Sequence, residues 1–141
     1  MNLKEEILKL KEEKNALIVA HLYQCDEIQE IADIVGDSYF LSKQAMESSK
    51  DLIIFCGVKF MAESAKILSP HKKVLIPSNE TTCPMADMAL VDRLENLMDK
   101  HPNAKVVSYI NSNLDIKALS DVCVTSSSAI DILNNLDTEE I

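Results

Sequence analysis

Apolar residues recur along this chain in two rhythms that alternate from one end to the other. Leu3, Ile7 and Leu10 fall on one face of a run rich in Lys and Glu, which predicts an amphipathic helix over residues 3–13. The run NALIVAHLY that follows is continuously apolar until it closes on polar and aromatic groups, as a strand buried in a parallel sheet does. CDEIQEIADIVG then reads as a helix: Asp26 and Glu27 suit its N-terminal end, Ile28, Ile31, Ala32 and Val35 form its buried stripe, and Gly36 ends it. DSYFLSKQAMESS reads as a short strand or turn running into a further helix. DLIIFCGV, KKVLIPS, AKVVSYIN and DVCVTS read as strands. The helices between and after them are KFMAESAKIL, ADMALVDRLENLMDKH, NLDIKALSD and SSAIDILNNL. Alternation of this kind predicts an α/β fold with a parallel sheet.

The two halves of the pattern repeat. LIVAHLYQ, a helix and a Ser-led helix in the first half match KVVSYIN, a helix and a Ser-led helix in the second. The match sets Tyr23 against Tyr109 and Ser38 against Ser126, at offsets of 86 and 88 residues. It predicts a first α/β domain over residues 1–86 and a second, incomplete one over 87–141. By the same offset, a second copy of DLIIFCGV would start near residue ~138 and a copy of Cys83 would fall near ~170. The expectation is therefore a fragment whose second unit stops halfway.

Composition narrows the classes of function. Fourteen basic residues stand against 23 acidic ones, a formal net charge of −9, and Arg93 is the one arginine. No cationic stripe offers itself to phosphates, which argues against nucleic acid, and none gathers on one face to suit a membrane surface. No apolar run approaches the ~18 residues of a spanning helix, and the charged N-terminus lacks the apolar centre of a signal peptide. The chain is expected to be cytoplasmic, with Cys25, Cys56, Cys83 and Cys123 reduced.

Candidate chemistry is concentrated in a few positions. Gly36 and Gly57 are the only glycines, so phosphate-cradling loops of the dinucleotide or P-loop kind are absent. AHLYQ places His21 and Tyr23 two residues apart at the carboxyl end of a strand, where open α/β sheets bind ligands. Tyr109 and Asn111 recur at the second strand end. GDS and TSSS set Ser38 and Ser126 at helix starts, where hydroxyls serve equally as caps and as anion ligands. Cys56 and Cys123 lie in apolar strands and read as buried thiols. Met61, Met85 and Met88 are expected in the core. Cys83, in TTCPMADM, sits in a loop before Pro84 and is open to either a structural or a ligand role.

AHLYQCDEIQEIADIVGDS, FCGVKFMAESAKILSP, TTCPMADM and SYINSNLDIKALSDVCVTSS together resemble the N-terminal half of the quinolinate synthase family. The resemblance implies a fold of three similar α/β domains about a pseudo-threefold axis, of which this chain would carry the first and part of the second. It implies a transferase of de novo NAD biosynthesis that condenses iminoaspartate with dihydroxyacetone phosphate to quinolinate. It further implies a 4Fe-4S cluster held by one cysteine from each domain, with Cys83 as the first-domain ligand. His21, Ser38, Tyr109, Asn111 and Ser126 would bind the anionic substrates, and Tyr23 would take part in proton transfer and in closing the site. One cysteine cannot hold a cluster that uses three or four thiolates, so the chain alone is expected neither to retain it nor to be active. The alternative is a non-enzymatic α/β module, or a subunit whose partner chain supplies the missing domains.

Overall fold

A computed structural model describes residues 2–141. Helix α1 (Leu3–Glu13) opens with a capping box: the Asn2 side chain accepts the Glu5 N–H at 2.9 Å, and the Glu5 carboxylate accepts the Asn2 N–H at 3.0 Å. Asn15, in the left-handed region at φ 50°, turns the chain into strand β1 (Ala16–His21). Every residue of β1 is buried. It occupies an interior position in a four-stranded parallel sheet of order β2-β1-β3-β4, with β2 at Ile34–Gly36, β3 at Leu52–Cys56 and β4 at Lys73–Leu75. Helices α3 (Ser38–Glu47) and α4 (Lys59–Leu68) pack against one another beside it. Val19, Ile53, Phe55, Leu41, Ala45 and Ala65 are wholly buried.

The segment expected as one helix over 25–36 is instead a four-residue helix α2 (Asp26–Gln29) followed by β2. The reason is a long-range clamp. The Asp33 carboxylate accepts the Ile18 N–H at 2.9 Å, and the Asp33 N–H donates to the Ile18 carbonyl at 2.8 Å. Lys11 closes on the other carboxylate oxygen at 2.7 Å. These bonds draw residues 34–36 alongside β1, and His21 then pairs with Gly36, which ends a strand and not a helix. A side chain at Gly36 would collide with the Phe40 ring, whose Cδ1 lies 2.3 Å from where a Cβ would stand.

The chain divides into two compact units, the second being Cys83–Ile141. In it, the helix expected over ADMALVDRLENLMDKH is two: α5 (Pro84–Asp87) and α6 (Val91–Lys100), separated at Leu90, whose backbone is extended. Strands β5 (Val107–Tyr109) and β6 (Val122–Val124) form a parallel pair, with α7 (Leu114–Ala118) between them and α8 (Ala129–Asn134) after. Met61 is in the core as expected, but Met85 and Met88 are 79% and 76% exposed.

The internal repeat has a single offset of 88 residues. Val19 pairs with Ile34 and His21 with Gly36; Val107 pairs with Val122 and Tyr109 with Val124. Asp121 repeats the clamp, accepting the Val106 N–H at 2.9 Å and donating its own to the Val106 carbonyl at 2.8 Å, with Lys105 at 2.8 Å in the place of Lys11. Tyr109 is thus the counterpart of His21, and Asn111 that of Tyr23. The expected match of Tyr23 with Tyr109 is out of step by two residues, because the clamp and the strand register fix the alignment where aromatic identity does not.

Candidate functional site

Parallel sheets present their ligand face at the carboxyl ends of the strands. In the first unit β1 ends there in His21, buried, while Tyr23 stands 91% exposed two residues on. A tight turn links them: the Gln24 N–H donates to the His21 carbonyl at 2.9 Å and the Tyr23 N–H to His21 Nδ1 at 3.2 Å. The two rings meet edge to face with centroids 4.6 Å apart. Since Nδ1 accepts, the neutral imidazole carries its proton on Nε2. Burial pushes the His21 pKa below its ordinary 6.5, and the Asp37 carboxylate opposes that shift without cancelling it. The ring is therefore a neutral hydrogen-bond donor near pH 7 and not a cation.

Ser38 follows Asp37 and begins α3, half-buried, two residues past the Gly36 that pairs with His21. Asp37 caps the helix, its Oδ1 accepting the Phe40 N–H at 2.9 Å. Behind this edge, Gln29 on α2 donates from Nε2 to the Leu22 carbonyl at 3.2 Å and the Gln24 carbonyl at 2.8 Å. His21, Tyr23 and Ser38 thus share one edge of the first unit.

The second unit carries a parallel arrangement. Ser126 donates to the Tyr109 hydroxyl at 3.3 Å. Asn111, half-buried, keeps Oδ1 shielded from solvent with no hydrogen-bond partner, an acceptor that a ligand N–H or hydroxyl would satisfy. Thr125 stands where Asp37 does in the first unit and accepts the Ser128 N–H at 3.2 Å. That bond closes a turn before α8, whose N-cap is Ser128, so Ser126 lies in that turn and not at the helix start expected for it. Tyr109 also borders a cavity of about 350 Å³ between α6 and β5, along with Leu94, Ser112 and Ile116.

Cys83 heads the second unit as the N-cap of α5, with Pro84 in the first helical turn. Its thiol is half-buried and makes no capping hydrogen bond, so the sulfur is available as a donor. No group of three or more His, Cys, Asp or Glu able to hold a metal ion occurs among the described residues. Taken as a donor set, Cys83 fits one thiolate corner of an iron–sulfur cluster and no more. Cys56 is buried, and burial raises its thiol pKa, which makes it a poor ligand. Cys123 is half-buried, 3.4 Å from the Ser108 hydroxyl, and Cys25 is exposed.

Two groups at the site escape a reading of the sequence alone. Asp37 adjoins the Ser38 that draws the eye in GDS, but its influence on His21 depends on the pairing of β1 with β2. Gln29 lies on a helix too short to show periodicity, and its bonds to the 22–24 turn have no sequence signal.

These features define an α/β protein that gathers neutral polar donors at the carboxyl ends of parallel strands, once in each of two repeated units. The family model described as Quinolinate synthetase A protein matches residues 5–141, and the chain belongs to that family. It is 63% identical over 141 residues to a quinolinate synthase of Clostridium perfringens, a match covering 100% of this chain and 47% of that protein. Over 140 residues it is 63% identical to the quinolinate synthase of Clostridium acetobutylicum, covering 99% of this chain and 46% of the other. For that of Caldicellulosiruptor bescii the identity is 59% over 139 residues, with coverage of 99% and 46%. The chain spans about half the length of the curated relatives it matches. Among the described residues, no helix is long and apolar enough to cross a membrane.

Proposed function

We propose that this chain forms the substrate-facing half of a quinolinate synthase site, acting on iminoaspartate and dihydroxyacetone phosphate in NAD biosynthesis. The observation that carries the reading is the doubled strand-end arrangement, His21 with Ser38 and Tyr109 with Ser126, in a chain whose residues 5–141 match the family. Both substrates are anionic, and each unit offers neutral donors to them. His21 offers Nε2–H, Ser38 and Ser126 offer hydroxyls, and Asn111 offers an amide with an unused acceptor. Neutral donors orient carboxylate and phosphate oxygens without fixing an ion pair that would hold the product back. Tyr23, exposed on its turn, closes over bound substrate and moves a proton from its hydroxyl. Cys83 holds one iron of a 4Fe-4S cluster, and residues elsewhere in the assembled enzyme supply the other thiolates. When bound, the cluster supplies a Lewis-acidic iron that helps a hydroxyl leave as water. The reaction takes place in the cytoplasm.

A hybrid tests this. Residues 1–141 replace the matching segment of the Clostridium perfringens relative, and the product is reconstituted with iron and sulfide without oxygen. Quinolinate formation and the visible absorption of the cluster are then recorded. The expected result is turnover with the native segment and loss of both signals in Cys83→Ser. A folded hybrid that makes no quinolinate sinks the reading, and a cluster spectrum unchanged by Cys83→Ser removes Cys83 from it.

A further inference from the structure

We infer that Gln29 is a positioning residue for the His21–Tyr23 pair, acting through the turn that joins them. The inference rests on the proposed role of that pair and extends it to a residue that would touch neither substrate. The carbonyls of Leu22 and Gln24 flank Tyr23, and both accept from Gln29 Nε2, at 3.2 and 2.8 Å. One amide group therefore pins the chain on either side of a tyrosine that is otherwise 91% exposed. The turn so held includes the Tyr23 N–H, which donates to His21 Nδ1 at 3.2 Å and thereby sets which imidazole nitrogen keeps the proton. The coupling runs from Gln29 through two carbonyls to a backbone N–H, and from there to the face that His21 shows a ligand. The repeat supplies an independent observation. At the offset of 88 residues, half-buried Gln29 corresponds to Lys117, another long side chain ending in N–H donors, which is buried. The position keeps a donor-bearing side chain while its chemical type changes.

Gln29→Met keeps the bulk of the side chain and removes both donors, and Gln29→Lys restores donors on the side chain that the second unit has at the equivalent position. Heteronuclear NMR of the imidazole nitrogens in the 141-residue chain reads the tautomer directly. The native chain is expected to hold the His21 proton on Nε2, Gln29→Met to mix the two tautomers, and Gln29→Lys to return to one. In the hybrid enzyme, Gln29→Met should lower kcat about tenfold with little change in KM, within the hundredfold that a ~1 Å misplacement can cause. Gln29→Lys should recover most of that loss. A native chain with its proton mainly on Nδ1 overturns the inference without any variant. So does a folded Gln29→Met chain with an unchanged tautomer, or a Gln29→Lys chain that restores nothing. Should the native hybrid make no quinolinate, the functional reading fails, and the tautomer measurement still decides the positioning role.

Discussion

At His21, burial and the Tyr23 N–H act in the same direction: each favours the neutral ring, since one withholds water from the charge and the other donates to a lone pair that protonation would consume. The consequence for stability follows from proton counting. With the folded pKa below 6.5, the unfolded chain binds more protons than the native one as pH falls through 6.5, so acid favours unfolding. The penalty is absent above that pH, grows below it, and levels off once the folded pKa is passed. Urea midpoints of the native chain and of His21→Gln at pH 7.5 and 5.5 check this. The native chain should lose more stability on acidification than the variant, and equal losses would show that His21 does not carry the effect.

Elements are tied together here by single polar side chains as well as by apolar faces. Lys72, 3% exposed, sends Nζ to the carbonyls of Ala45 and Met46 at 2.7 and 3.0 Å, and to that of Ser48. It thereby satisfies the orphan carbonyls at the C-terminal end of α3 and places positive charge where the helix dipole favours it. Lys72→Met should lower stability by about 2–3 kcal/mol, because carbonyls shielded from water would lose their donor. Chemical denaturation reads the loss, and a change under 1 kcal/mol would mean that water replaces the ammonium there. The Asp33 and Asp121 clamps work on the same scale, each locking the start of one strand to the next in a fixed register.

Across the whole molecule the apolar core is unevenly shared. The sheet of the first unit has four strands and buries Val19, Ile53 and Phe55 completely, whereas the second unit has two strands, and its buried apolar side chains are Ala86, Ile116 and Val124. A two-stranded sheet with so little burial is marginal in water. Amide exchange in the 141-residue chain should therefore be fast at Val107–Tyr109 and Val122–Val124 and slow at Ala16–His21 and Leu52–Cys56. Equal protection in the two sheets would contradict that picture.

Much of the fold is legible without coordinates. The apolar runs of β1 and β3, the helical spacing of α1 and α4, and the Ser-led start of α3 follow from local periodicity, which neighbouring residues settle among themselves. The chemistry-bearing positions can likewise be picked out from residue type and place, since His21, Tyr23 and Ser38 fall at strand and helix ends. Other features depend on partners distant in the chain. IADIVG satisfies a helical stripe and a strand equally well, and Asp33 bonding to Ile18 decides for the strand. The same bonds, repeated at Asp121 and Val106, set the offset at 88 and match Tyr109 with His21. Met85 and Met88 carry a core residue's chemistry but lie on the surface of their unit, which no local pattern reveals. By itself, then, the sequence determined the α/β alternation, the residues suited to anionic ligands and the resemblance to one family, because these rest on local pattern and residue type. Tertiary structure alone decided strand register, because hydrogen bonds between distant segments set it, and the tautomer of His21 and the hold of Gln29 on the turn, because these depend on the exact backbone path of residues 21–29, which residue type does not encode.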